Sequence, residues 1–155
     1  MFTVKLALAT LAALFAVGVD ASPVALVTRA NWKDQYGWDG KAITPVQLDP
    51  SNAVKPTPGK PAPAALSQGV FFCTDANFKG NCVYVHGFNS GQCVGVGSDF
   101  NDKVSSFGPD QGITCTIYSN AGCVGRATGG IVNPGINNLA DFNNNDAMSS
   151  FRCTN

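Results

Sequence analysis

Two stretches of this chain occur twice at nearly the same offset, and a repeat of that kind limits the fold more than any other feature of the sequence. FFCTDANFKG (71–80) aligns with TIYSNAGCVG (116–125) at an offset of 45, and FNDKVSSF (100–107) aligns with NNDAMSSF (144–151) at an offset of 44. The pattern implies one domain made of two copies of a unit of about 44 residues. Each copy carries a hairpin early and an Asn-Asp-x-x-Ser-Ser segment late. Around these segments, short runs rich in Val, Phe, Ile and Tyr are broken by Gly, Asn and Asp about every ten residues, which is the signature of an all-β sandwich or barrel. The expected strands are Gly69–Cys73, Cys82–His86, Gln92–Val96, Val104–Phe107, Thr114–Tyr118, Gly125–Thr128 and Ser149–Cys153. Helix signals are almost absent.

All six cysteines (Cys73, Cys82, Cys93, Cys115, Cys123, Cys153) fall within these two copies. An even number in a short domain reads as three disulfides. Zinc is the competing reading, but there is no CxxC pair and His86 is the only histidine. A domain this small buries a limited core, so bridges worth roughly 2–4 kcal/mol each form a large share of its stability.

The N-terminus agrees with an oxidising destination. Lys5 precedes an apolar run from Leu6 to Val19 that ends in Val19-Asp20-Ala21, which reads as a signal peptide over 1–21 with cleavage after Ala21. The run is short for a membrane anchor, so no membrane span is expected. Residues 22–66 lack a sustained period and include the proline-rich stretch PTPGKPAP (56–63), so this segment is expected to be a disordered tail and linker. Trp32, Tyr36 and Trp38 are its one local feature, either sticky spacer residues or a contact for a sugar or partner. The domain proper is expected over 67–155.

Charge narrows the function classes further. The chain has ten basic and ten acidic side chains and is formally neutral, so long-range attraction to nucleic acid or anionic membrane is not expected. All ten acids are Asp. The chain has no Gly-x-Ser-x-Gly, His-Glu-x-x-His or phosphate-binding glycine loop, and His86 sits among strand-like neighbours, so an enzyme is not expected.

The repeated residues resemble the βγ-crystallin superfamily, whose Greek-key unit carries an aromatic, four residues, an aromatic, one residue and a glycine. Phe78-Lys79-Gly80 matches the second part of that pattern in the first copy, with Cys73 standing at the first aromatic. In the second copy Tyr118 and Gly125 match, and Cys123 replaces the second aromatic. The resemblance implies an all-β fold of two Greek-key motifs forming one βγ-crystallin-like sandwich, here stapled by disulfides. Family members that bind calcium carry the motif found here as Asn101-Asp102-Lys103-Val104-Ser105-Ser106 and Asn145-Asp146-Ala147-Met148-Ser149-Ser150.

Calcium, a hard cation, takes six to eight oxygens, and such segments mix carboxylate, amide, hydroxyl and free loop carbonyls. By analogy with the family, Asp102, Ser105, Asp146 and Ser149 supply side-chain oxygens. Lys103 and Ala147 supply loop carbonyls, Thr74 and Ser119 supply hairpin carbonyls, and Asn101 and Asn145 complete the motif. The same residue types also close loops through Asx and Ser/Thr hydrogen bonds, which is the alternative, purely structural reading. The resemblance further suggests an exchanged fourth strand. That places the last strand beside the first and favours Cys73–Cys153, Cys82–Cys93 and Cys115–Cys123 among fifteen possible pairings.

The function these features imply is a secreted, calcium-binding structural or interaction protein of fungal extracellular type. It is expected to be monomeric, with calcium and a cell-wall component or extracellular protein as partners. An antimicrobial or killer-toxin-like effector and a metalloproteinase inhibitor are the alternatives carried by the same fold.

Overall fold

The computed structural model describes residues 40–49, 58–59 and 65–155. The signal segment, the three aromatics of the tail and most of the proline-rich stretch lie outside the described residues. Ten short elements form the domain and its approach. They are strand β1 (Ala42–Ile43), helical turn α1 (Pro45–Leu48), β2 (Gly69–Asp75), β3 (Lys79–His86), β4 (Cys93–Gly95), α2 (Gly97–Phe100), β5 (Ser106–Pro109), β6 (Thr114–Asn120), β7 (Val124–Ile131) and β8 (Ser150–Thr154). A 3-10 turn at Leu139–Phe142 precedes β8.

All seven expected strands are present, and together with β1 they assemble into two four-stranded sheets ordered β1-β3-β2-β5 and β4-β8-β6-β7. Every pairing except β1 with β3 is antiparallel. In each copy the first and second strands form a hairpin and the fourth lies on the other side of the first. The third strand of the first copy, β4, leaves its own sheet and pairs with β8 of the second copy, Val94 opposite Phe151. The second copy returns the exchange with a single bridge, in which Ile136 and Phe107 trade backbone hydrogen bonds of 2.8 and 3.0 Å. Two Greek keys are thereby interlocked.

Alternation along the strands explains the core. Val70 and Phe72 of β2 face the second sheet and are fully buried beside Phe107 and Phe151, while Phe71 and Cys73 face outward. Phe72, Phe107 and Phe151 form a triangle with centroid separations of 5.7–6.1 Å, and Phe88 and Phe100 approach it edge-on at 5.4 and 5.2 Å. Phe107 and Phe151 close the two Ser-Ser segments, so the repeated motif ends on the residues that fill the centre.

The outer face of the first sheet is covered by its own hairpin. Asn77 and Phe78 take left-handed backbone angles (φ 59° and 55°), which folds the hairpin back so that Phe78 stacks on Phe71 at 5.9 Å. Gly80 (φ +78°) is needed at the fold: a Cβ there would lie 2.5 Å from Thr74 Oγ1. Gly125, its repeat partner (φ +85°), faces Ser119 Oγ at 2.6 Å in the same way. At the other end of the sheet Asp110 Oδ2 accepts from the Gly69 amide (3.0 Å) and from the Tyr84 hydroxyl (2.5 Å). Burial, and then this contact, push the Tyr84 phenol above its ordinary pKa.

The six cysteines form three disulfides, but the pairing differs from the expected one: Cys73–Cys82, Cys93–Cys123 and Cys115–Cys153. The reason is the identity of the exchanged strand. The third strand crosses over, not the fourth, so β8 stays beside β6 and Cys153 faces Cys115 directly across that ladder. Cys73 likewise faces Cys82 across the first hairpin, with Cα atoms 4.1 Å apart. Cys93 sits on the exchanged strand and reaches Cys123 at the second hairpin, the position held by Phe78 in the first copy. One bridge therefore ties the exchange itself, joining one copy to the other.

The segment expected to be a disordered tail is ordered over 40–49. Thr44-Pro45-Val46-Gln47 starts a helical turn in which Gln47 Oε1 accepts from the Thr44 amide (2.8 Å) and hydroxyl (3.2 Å), and Pro45 occupies the first helical position. Ile43 and Leu48 pack against the core, and β1 extends the first sheet beyond β3. Apolar contacts and edge hydrogen bonds thus offset the ordering entropy that a composition-based reading assigns to this segment.

Candidate functional site

The two Asn-Asp-x-x-Ser-Ser segments meet across the pseudo-twofold of the repeat. Ser105 Oγ donates to Asp146 Oδ1 at 3.1 Å, and Ser149 Oγ approaches Asp102 Oδ1 at 3.4 Å. The loops also exchange backbone hydrogen bonds, Asp102 N–H to Met148 O and Asp146 N–H to Val104 O, both 3.2 Å. Asp102 and Asp146 hold left-handed backbone angles (φ 54° and 49°), a conformation Asp tolerates better than most residues. The carboxylates are exposed and the partner hydroxyls buried, so each pair is open at the carboxylate and closed at the serine.

Adjacent residues of each Ser-Ser pair do different work. Alternation along the chain points Ser106 and Ser150 into their hairpins. Ser106 Oγ donates to Asp75 O (2.8 Å) and accepts from the Phe78 amide (3.2 Å). Ser150 Oγ donates to Asn120 O (2.6 Å) and accepts from the Cys123 amide (3.0 Å). The second serine therefore locks the folded hairpin, and the first faces the carboxylate of the other copy.

Thr74 and Ser119 arrive beside these pairs because the hairpins are anchored there. Ser105 N–H donates to Cys73 O and Ser149 N–H to Tyr118 O, each 2.9 Å, which sets the next residue of each hairpin against the site. Ser119 O accepts from Ser149 Oγ at 3.0 Å. The Thr74 and Ser119 hydroxyls cap the Asn81 and Arg126 amides (3.0 and 2.9 Å).

The other motif positions sit at the margin. The Asn101 and Asn145 amides donate to the far oxygens of Asp102 and Asp146 at 2.9 and 2.7 Å, steadying the carboxylates. The Lys103 ammonium points back to the carbonyls of Ser98 and Asp99 (3.3 and 3.4 Å). Ala147 is half-buried next to Asp146.

Among the described residues no three His, Cys, Asp or Glu converge on one point, so the donor set is one of oxygens with a single carboxylate per pair. Neighbouring oxygens around one calcium ion, each about 2.4 Å from it, lie roughly 3 Å apart. The serine-to-aspartate separations of 3.1 and 3.4 Å, and the 3.0 Å from Ser149 Oγ to Ser119 O, are compatible with that spacing. The oxygens present fit a hard cation.

No protein-family model matches the sequence, and no curated protein matches it. Solved structures do match. A structure described under the evolution of the eye-lens βγ-crystallin domain fold is 26% identical, covering 65% of this chain and 95% of that one, with a TM-score of 0.49. A βγ-crystallin from an archaeon (22% identical, 56% of this chain, 98% of that one, TM-score 0.44) matches as well. So does a double mutant of clostrillin solved in complex with nickel (19% identical, 56% and 98% covered, TM-score 0.43). In this fold the Ser-Ser segments fall where the two keys interlock, and the Cys73–Cys82 bridge belongs to the same buried cluster as Phe71 and Phe78.

Sequence reasoning missed one neighbour of the site. Leu48 and Asp49, from the segment taken as a tail, line the cleft that also contains Asn101 and Ser149. The signal was present as Thr44-Pro45-x-Gln47, a helix-start pattern lying among apolar residues.

Proposed function

We propose that this protein is a secreted calcium-binding βγ-crystallin module, a stable binding or structural unit and not a catalyst. The observation that carries the reading is the reciprocal placement of Ser105 against Asp146 and Ser149 against Asp102, at spacings that oxygens around one cation adopt. Calcium suits these groups because a half-exposed set of carboxylate, hydroxyl and carbonyl oxygens meets its loose coordination. Magnesium demands a tighter octahedron and releases its water reluctantly. Three disulfides and the leader-like N-terminus support an oxidising, extracellular setting. Among the described residues no helix is long and apolar enough to cross a membrane, and we take the module to act as a monomer.

The test is thermal unfolding in excess chelator, in calcium and in magnesium. A cation that binds only the folded state adds RT ln(1 + [L]/Kd), about 1.4 kcal/mol per site at about 1 mM calcium for a Kd of about 0.1 mM. Calcium is expected to raise Tm, magnesium less, and Asp102→Ala and Asp146→Ala each to diminish the gain. Equal melting temperatures in chelator and calcium would leave the paired segments as loop closures only.

A further inference from the structure

The two calcium sites are related by the repeat, but the segment Gly40–Asp49 occurs once and docks against only one part of the molecule. We propose that this segment is a strap completing the second site, the one built on Ser149, Asp102 and Ser119, so that strap docking and calcium binding strengthen each other. The proposal rests on the calcium reading above.

Three observations support it. The strap is a built dock: β1 pairs in parallel with β3 (Ala42 opposite Tyr84, Ile43 opposite Val85), Pro45 is buried, and Ile43 and Leu48 pack on the core. Its far end is held at the site. Leu48 O presses on Gly97, where a Cβ would lie only 2.2 Å away, and Gly97 itself has φ +70°, so both the close approach and the backbone angle require glycine. Leu48 and Asp49 then line a cleft of about 610 Å³ together with Asn101, Ala121 and Ser149. Ser149 is one of the residues lining the cleft, and its hydroxyl contacts both Asp102 Oδ1 and Ser119 O.

The strap thus places an acidic residue, Asp49, in the cleft that Ser149 lines. In a solvent-filled cleft, one carboxylate several ångströms from a divalent ion changes its affinity by roughly three- to tenfold. Linkage is reciprocal, so calcium at this site must favour the docked strap by the same factor.

Calorimetric calcium titration of the full chain and of Asp49→Asn, together with hydrogen exchange over residues 40–49, tests the proposal. The expected result is two sites in the wild-type chain and one site weakened roughly three- to tenfold in Asp49→Asn with the other unchanged. Exchange at Ala42–Leu48 should slow on adding calcium. Ile43→Asn, which loosens the strap without touching the cleft, should weaken the same site. Unaltered affinities in Asp49→Asn, or strap exchange that is the same in calcium and in chelator, overturn the strap's role and leave the calcium function standing. A wild-type chain that takes up no calcium overturns the calcium reading itself, and the strap proposal with it.

Discussion

Replacing Ser106 by alanine separates the two roles that neighbouring serines play. The Ser106 hydroxyl is fully buried and serves two backbone groups of the folded hairpin, donating to Asp75 O and accepting from the Phe78 amide. Alanine leaves the Phe78 N–H with no acceptor in a buried place and removes a donor from Asp75 O. An unsatisfied buried group costs about 1–3 kcal/mol, and the lost bond to the more exposed carbonyl adds about 1 kcal/mol, so the expected loss is about 2–4 kcal/mol. For a domain of this size each kcal/mol shifts Tm by about 4–8 °C, which makes the expected drop roughly 8–32 °C.

Ser105→Ala, one residue earlier, removes a hydroxyl whose partner is the exposed Asp146 carboxylate, and water replaces that contact at little cost. It should lower Tm in chelator by only a few degrees while abolishing much of the calcium-induced gain. Thermal melts of both variants under non-reducing conditions, in chelator and in calcium, provide the comparison. Equal destabilisation of the two variants in chelator would refute the division of labour within the Ser-Ser pair.

Three further outcomes follow from the geometry. Non-reducing peptide mapping should recover Cys73–Cys82, Cys93–Cys123 and Cys115–Cys153 and no other pairs, and recovery of Cys73–Cys153 would contradict the exchange of the third strand. Gly80→Ala and Gly125→Ala should destabilise by similar amounts, each at least about 1–2 kcal/mol, because both combine a positive φ with a Cβ driven into a hairpin side chain; denaturant midpoints that differ widely would break the equivalence of the copies. Tyr84, with its phenol pKa raised in the fold, contributes stability that is fully present below the unfolded phenol's pKa of about 10 and is lost as pH climbs above it. Ultraviolet titration should therefore show one phenolate appearing only as the domain unfolds, and Tyr84→Phe should remove that component of the alkaline transition.

Much of the domain could be read from local sequence. The two-copy, all-β architecture follows from the repeat and from short apolar runs, because strand alternation and turn chemistry act over a few residues. The same locality made the first serine and the aspartate of each motif visible as candidates, and the offset of 44 brings them into reciprocal contact. That every cysteine is bonded was legible from their number.

The partners of the cysteines were not legible. Cys93–Cys123 and Cys115–Cys153 span 30 and 38 residues, and which pair forms depends on whether the third or the fourth strand crosses between sheets. That choice belongs to the packing of two whole Greek keys around Phe72, Phe107 and Phe151, and nothing within a few residues of a cysteine encodes it. The strap was hidden for a related reason. Residues 40–49 are too few to bury an apolar face alone, so their order exists only where the β3 edge and the Gly97 turn receive them. Composition reports what a segment can bury by itself, and only the tertiary structure decides what another part of the chain offers it.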